Sequence, residues 1–179
     1  MTSGINKWEK LSHEIVFQKY SRKIEKIMFR LPNGEEKDFY IKLEGPAVAT
    51  LAITKDSQVI LVRQFRPGPN EIFNEMPGGY IGNDETIERA AERELLEETG
   101  YKGKIKLVAT ASDCAYSTMS RHCMVATGCE KVAEQKLDKT EFAEVVLMSL
   151  NEFRKLLRSG KMTDIEVGYL GLDFLGLLK

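Results

Sequence analysis

Blocks of apolar residues of strand length punctuate the first half of the chain. Residues 14–17, 23–31 and 37–42 each carry one, and Pro32-Asn33-Gly34 supplies a turn between the last two, so this region reads as a small set of strands with a hairpin. After Gly45-Pro46, the runs 48–54 and 58–62 are more uniformly apolar and are joined by Lys55-Asp56-Ser57, which predicts a second hairpin, of core strands. Residues 105–110, 122–127 and 144–148 supply further strands, and together with the helices below they predict a mixed α/β layered arrangement. Two helices close the chain. Ser149-x-x-Glu152 and Thr163-x-x-Glu166 both have capping-box spacing; the first precedes Phe153, Leu156 and Leu157, and the second the strongly apolar stretch 169–178. Gly168, Gly171 and Gly176 lower helix propensity by about 1 kcal/mol each relative to Ala, so close packing against the domain or a partner chain is the expected compensation.

Helical periodicity is strongest between these regions. Residues 86–99 contain no Gly, Pro or Val, Asp84 and Thr86 are available as caps, and Gly100 stands where a left-handed C-terminal residue is expected. At about 100° per residue, Ile87, Ala90 and Ala91 define an apolar face with Leu95 on its flank. Glu94 and Glu98 fall on that apolar side, and Glu97 lies within one turn of both. Three carboxylates crowded on an inward-leaning edge repel one another, so each must raise its pKa or find a cation. A hard divalent ion is the simplest remedy, and magnesium suits it because it takes a few carboxylates, keeps several waters and completes its shell with substrate phosphate. Arg93 can orient the cluster by a charge-assisted bond. The alternative for such a segment is a solvated, glutamate-rich helix.

Composition narrows the function classes. With 179 residues and 42% hydrophobic content, the chain has the length for one domain, or one domain with a short appendage, around a real core. Its net charge of −1 provides no basic field for polynucleotides, so no nucleic-acid partner is expected. Cys114, Cys123 and Cys129 are odd in number and lack paired metal spacing; with no signal peptide in view, a cytoplasmic location is expected. No apolar run approaches the roughly 20 residues needed to span a bilayer, so no membrane association is expected.

Residues 79–101 resemble the Nudix box, Gly-x5-Glu-x7-Arg-Glu-U-x-Glu-Glu-x-Gly-U with U a bulky apolar residue. Gly79, Glu85, Arg93, Glu94, Glu97, Glu98 and Gly100 are all in register, Leu95 fills the first U, and the aromatic Tyr101 the last. Trp8-Glu-Lys-Leu-Ser, Arg63-Gln64-Phe65-Arg66-Pro67 and Asn74-Glu75-Met76-Pro77-Gly78-Gly79 extend the resemblance toward the ADP-ribose and nucleoside diphosphate-sugar pyrophosphatases of that superfamily. The resemblance implies the Nudix fold, an α/β (α+β layered) arrangement in which helices sandwich a mixed sheet. It also implies an N-terminal β subdomain over residues 1–44 that builds a homodimer, and a catalytic domain over 45–179. The implied reaction is metal-dependent hydrolysis of a nucleoside diphosphate sugar, such as ADP-ribose or GDP-mannose, to nucleoside monophosphate and sugar phosphate.

The resemblance also suggests roles. Glu94, Glu97 and Glu98 would hold Mg2+, with Mn2+ as the substitute, and the Gly78 carbonyl would join as a backbone ligand. Glu97, Glu98 and Arg93 are thereby expected among the catalytic residues. Arg63 and Arg66, three apart, suit bidentate recognition of phosphate or stacking on a base, with at least one expected to touch substrate. Glu75 would meet the sugar or metal, or pair with an arginine. A general base should come from outside the box helix; Glu141 is the first choice, followed by Asp138 and Glu144. Where ADP-ribose pyrophosphatases typically carry a proline, sixteen residues beyond Gly100, this chain has Tyr116. That tyrosine is more reminiscent of dinucleoside polyphosphate hydrolases, and would stack on a base or pack beneath its loop. Arg121 would contact a terminal phosphate or form a surface ion pair. His13 and His122 make no catalytic pair, and no base is evident to activate a cysteine. A non-catalytic nucleotide-sugar-binding module is the reading from a different class; it predicts damaged box carboxylates, and the box is intact.

Overall fold

The computed structural model describes residues 5–179, so the first four residues of the expected N-terminal subdomain lie outside it. The chain forms two compact units. The first comprises the residues through Gly45 together with 112–120. Its strands β1 (Glu9–Lys19), β2 (Arg22–Arg30) and β3 (Glu36–Leu43) make an antiparallel sheet in that order. Tyr20, at φ 53°, turns the chain between the first two. Trp8, Phe29 and Phe39 stack against one another with ring centroids 5.4–6.1 Å apart, which gives this small sheet an aromatic nucleus. Segment 112–120 is tied to β3 by backbone bonds from Lys42 N–H to the Tyr116 carbonyl (2.8 Å) and from Thr118 N–H to the Lys42 carbonyl (3.0 Å). Ile15, Val16, Phe17, Tyr20 and Tyr40 stay exposed.

The second unit holds the remaining strands and the helices. Its strands are β4 (Ala47–Thr54), β5 (Gln58–Arg66), β6 (Glu71–Glu75), β7 (Gly78–Tyr80), β8 (Tyr101–Ser112), β9 (Ser120–Lys131) and β10 (Ala143–Ser149). The order is β10-β5-β4-β9-β8, mixed because β4 and β9 run parallel. Alternate side chains point to opposite faces. On one face α1 (Ile87–Thr99) sets Ala90 and Ala91 on Val48 and Met124, and Leu95 on Ala52, Ile60 and Ala126. On the other, α2 (Leu150–Ser159) and α3 (Ile165–Phe174) bury Phe153, Leu157, Val167 and Leu172 with Leu51, Leu61 and Val125. The result is a mixed sheet between helical layers.

β4 and β5 pair only at Ala52–Ile60 and Ile53–Val59 before they diverge. β6 then continues the ladder along β5, from Val62–Glu75 to Arg66–Glu71, and β7 continues it along β4, from Ala49–Gly78 to Ala47–Tyr80. The chain between Glu75 and Gly78 therefore crosses a split in the sheet. These two short strands are absent from the periodicity of the sequence, since their pairing exists only because their neighbours part.

Ser149 and Glu152 form the expected capping box on α2. The corresponding expectation for α3 is corrected. Asp164 takes the N-cap position at φ 55° with no side-chain bond to the helix, while the Thr163 hydroxyl turns elsewhere. Helix α3 also ends at Phe174, short of 178, and leaves Tyr169, Leu170 and Phe174 partly exposed. Its glycines do pack closely: a Cβ on Gly168 would lie 2.4 Å from Leu157 Cδ2, and one on Gly171 2.8 Å from Leu51 Cδ2.

Candidate active site

The site is assembled where the split in the sheet meets α1. Thr86 caps the helix by accepting Arg89 N–H, and Gly100 closes it in the left-handed region at φ 75°. Between these ends Arg93 gathers the acidic side chains. Its Nε and Nη2 grip Glu85 bidentately at 2.9 and 3.0 Å, and its Nη1 donates to Glu94 at 2.7 Å and Glu97 at 3.2 Å. A further bond from Nη2 reaches the Tyr80 carbonyl at 3.1 Å, tying the helix to β7. Glu85 also accepts Gly82 N–H at 3.1 Å, which holds the glycine loop on the helix start. Glu98 faces the split, where its carboxyl accepts Gly78 N–H at 2.9 Å.

Gly78 and Gly79 are required by contact. A Cβ on Gly78 would lie 2.2 Å from the Val48 carbonyl oxygen, and one on Gly79 only 2.4 Å from Glu94 Oε1. The second glycine thus leaves the room that the Glu94 carboxylate occupies.

Electrostatics separate the glutamates. The Arg93 bond holds Glu85 below the usual carboxylate range, and the same pairing with Glu85 raises Arg93 well above its ordinary value. Burial raises Glu94 despite Arg93, and burial pushes Glu98 up to about 8, with Glu94 and Glu141 adding repulsion that Arg66 partly offsets. Glu98 is therefore a carboxyl group in need of a counter-charge, while the single positive charge of Arg93 is shared among three others.

This donor set suits a hard divalent cation, which would meet the charge deficit with oxygen ligands from Glu94, Glu97 and Glu98. Among the described residues no three His, Cys, Asp or Glu side chains are arranged to hold a metal ion; Arg93 instead draws Glu85, Glu94 and Glu97 to itself. A bound ion would have to compete with that guanidinium for Glu94 and Glu97.

A groove of about 650 Å3 lies along β5, β6 and the loop before β10, lined by Arg63, Phe65, Ile72, Glu141, Phe142 and Glu144, among others. Glu141 raises the pKa of both Glu94 and Glu98, which places this loop within electrostatic reach of the box. Its carboxylate accepts Asp138 N–H at 3.0 Å, folding residues 138–141 into a turn. Arg63 stands opposite Glu144 in the ladder, 3.6 Å away and largely exposed. Upstream of the loop, Lys136 N–H bonds the Glu97 carbonyl at 2.8 Å, the Gln135 side-chain amide bonds the Glu98 carbonyl at 2.7 Å, and Val132 and Ala133 N–H bond the Gly100 carbonyl. The last turn of α1 is thereby capped by the segment that leads to Glu141.

Glu75 and Arg121 are committed to ion pairs. Glu75, 1% exposed, pairs with Arg66 at 2.6 Å and accepts Gln64 at 3.0 Å, which is the arginine-pairing alternative. Arg121 forms ion pairs with Asp164 and with Glu166, the latter at 3.2 Å. Tyr116 belongs to the first unit and is half exposed there. His13 contacts Glu25, and His122 bonds Thr110 at 2.9 Å. Burial pushes the Cys123 and Cys129 thiols up to about 11, the opposite of activation. Gln135 and Lys136 carry no signal in the sequence, and Thr163 carries one that points to helix capping rather than to its bond with Glu75.

Most of the chain resembles known proteins. The sequence model of the NUDIX domain matches residues 43–166. The ADP-ribose pyrophosphatase of Bacillus subtilis (strain 168) is 34% identical over 142 residues, covering 78% of this chain and 77% of that protein. The methanol dehydrogenase activator of Bacillus methanolicus is 31% identical over 150 residues, covering 80% and 81%. The crystal structure of an ADP compounds hydrolase shares the fold, with a TM-score of 0.80 over 97% of this chain and 98% of its own at 21% identity. Because the matched stretch takes in the glycine loop, the Arg93 cluster and the Glu141 loop, the chain belongs to the Nudix family and is a hydrolase.

Proposed function

We propose that this Nudix hydrolase cleaves the phosphoanhydride bond of a nucleoside diphosphate sugar, with ADP-ribose the first candidate, to give nucleoside monophosphate and sugar phosphate. Nudix hydrolases generally need divalent metal ions, and Mg2+ is the proposed ion, held by Glu94, Glu97, Glu98 and the Gly78 carbonyl. When bound it would neutralise pyrophosphate charge and lower the pKa of an attacking water. Arg93 keeps Glu94 and Glu97 aligned, and Glu85 anchors Arg93. Arg66 binds a phosphate oxygen, and Arg63 receives the far end of the substrate in the groove. Glu141 accepts a proton from water as its oxygen bonds to phosphorus and the bridging P–O bond breaks.

The observation that carries this reading is the pairing of a buried, counter-charge-deficient Glu98 under Gly78 N–H with a groove lined by Glu141 and Arg63. The similarity to the Bacillus subtilis ADP-ribose pyrophosphatase supports the choice of substrate. The exposed apolar strands of the first unit support a homodimer through the N-terminal region, and the free cysteines fit a reducing cytoplasm. Tyr116 favours a second reading, hydrolysis of dinucleoside polyphosphates.

The test is mass-resolved product analysis of the protein and its Glu98→Gln variant, in magnesium, with ADP-ribose, GDP-mannose, UDP-glucose and diadenosine polyphosphates. Monophosphate plus sugar phosphate, lost in the variant, supports the proposal. Cleavage of the dinucleotides alone establishes the second reading. Binding without any turnover refutes both in favour of a binding module.

A further inference from the structure

The position of Glu75 is unusual for a carboxylate: it is buried in the split between β4 and β5, with its two oxygens bound by groups from different parts of the unit. Oε2 accepts Gln64 Nε2 at 3.0 Å and Arg66 Nε at 2.6 Å. Oε1 accepts the Thr163 hydroxyl at 2.7 Å, from the connection between α2 and α3. Thr163 is available for this because Asp164 occupies the helix N-cap position in the left-handed region, an uncommon state for a non-glycine residue, and pairs its carboxylate with Arg121. A hydrogen-bonded line thus runs from the α2–α3 connection, through the split, to an arginine at the end of β5.

We propose that Glu75 and Thr163 are positioning residues: the Thr163 hydroxyl fixes the Glu75 carboxylate, and Glu75 holds the Arg66 guanidinium in the orientation that receives a substrate phosphate. This rests on the reading of Arg66 as a phosphate contact. Arg66 ends a strand with its side chain 44% exposed, so without a fixed partner it would lose rotamer freedom each time substrate bound. Glu75 engages Nε, and the exposed remainder of the guanidinium keeps surface for a second acceptor. A buried carboxylate with three donors is a rigid anchor, and preorganised contacts bind without that entropic penalty.

The experiment uses the best substrate of the panel above and measures kcat, KM and melting temperature for Thr163→Val, Thr163→Ser, Arg66→Ala and Thr163→Val combined with Arg66→Ala. Thr163→Val should raise KM about threefold to tenfold, the equivalent of about one hydrogen bond, with kcat changed less than about twofold. Thr163→Ser should restore the wild-type KM, and Thr163→Val should have no further effect once Arg66 is alanine. An unchanged KM in Thr163→Val, or an equal rise with and without Arg66, overturns the proposal. If Arg66→Ala itself leaves kcat/KM unchanged, the premise about Arg66 fails and the proposal falls with it, a result distinct from failure of the relay. Should Thr163→Val not fold, Glu75→Gln asks the same question, and a KM rise that does not vanish in the Arg66→Ala background refutes the positioning role.

Discussion

Gly78 and Gly79 are neighbours in one short strand, yet alanine should damage them in different ways. The Cβ of Gly78→Ala would lie 2.2 Å from the Val48 carbonyl oxygen and 2.8 Å from Ala49 Cα, both backbone atoms of the paired strand β4. Nothing there can yield without separating β7 from β4. Overpacking of this kind costs about 1–3 kcal/mol or more, and each kcal/mol is worth about 2–4 °C in a domain of this size. A melting temperature lower by about 5 °C or more is expected for Gly78→Ala. The Cβ of Gly79→Ala meets Glu94 Oε1 at 2.4 Å and Cδ at 2.7 Å, the mobile end of a side chain. Restoring contact to about 3.5 Å moves that carboxyl by about 1 Å, away from its 2.7 Å bond with Arg93. The fold should survive with a melting temperature within about 2 °C of wild type. The half-saturating magnesium concentration for turnover should rise about tenfold or more, as when a partner that orients a metal ligand is removed. Circular-dichroism melts and a magnesium titration of kcat/KM measure the two effects. Equal losses of stability in the two variants, or wild-type magnesium dependence in Gly79→Ala, would refute the reasoning.

Two further predictions concern the charges of the box. Burial raises Glu98 to about 8, so between its ordinary value near 4.3 and about 8 the folded state keeps a proton that the unfolded state releases. Metal-free stability should therefore fall as pH rises through that window, with Glu94, also raised, adding the same sign. Magnesium should restore more stability at high pH than at low pH, and Glu98→Gln should flatten the metal-free decline; a decline of undiminished size in Glu98→Gln melts would assign it to other groups. Arg93→Lys keeps the charge but cannot reproduce the bidentate grip on Glu85 together with bonds to Glu94, Glu97 and Tyr80. It should lower kcat/KM by about 10–100-fold, and wild-type kinetics in Arg93→Lys would show that position to be served by charge alone.

The parts of the fold set by local chemistry were legible in the sequence. Apolar runs of strand length revealed the main strands, Thr86 and Gly100 bound the helix as their capping chemistry requires, and Arg93 bonds Glu94 and Glu97 as charge-assisted pairing on one helix predicts. Arrangements that depend on distant partners were not legible. Strands β6 and β7 are short and owe their existence to the divergence of β4 and β5. Thr163-x-x-Glu166 has the capping pattern, but the buried Glu75 carboxylate outcompetes a helix terminus for that hydroxyl, and Arg121 claims Glu166. Glu75 and Arg121 are short-range puzzles whose answers lie 88 and 45 residues away in sequence.

The stitching of residues 132–136 to the end of α1 bears on how this enzyme could acquire a new substrate. The backbone groups of Glu97, Glu98 and Gly100 are held by that segment, while Leu137, Glu141 and Phe142, just after it, line the groove. The anchor and the variable edge are therefore adjacent but separable. Insertions or substitutions between Leu137 and Phe142 can reshape the groove while the preceding bonds keep the loop root registered to the box, whereas lengthening the chain at 132–136 would uncap the helix that carries the box glutamates. Selection for altered substrate range, natural or in the laboratory, has a defined place to act: the positions between Leu137 and Phe142 other than Glu141, with the stitch before them left intact.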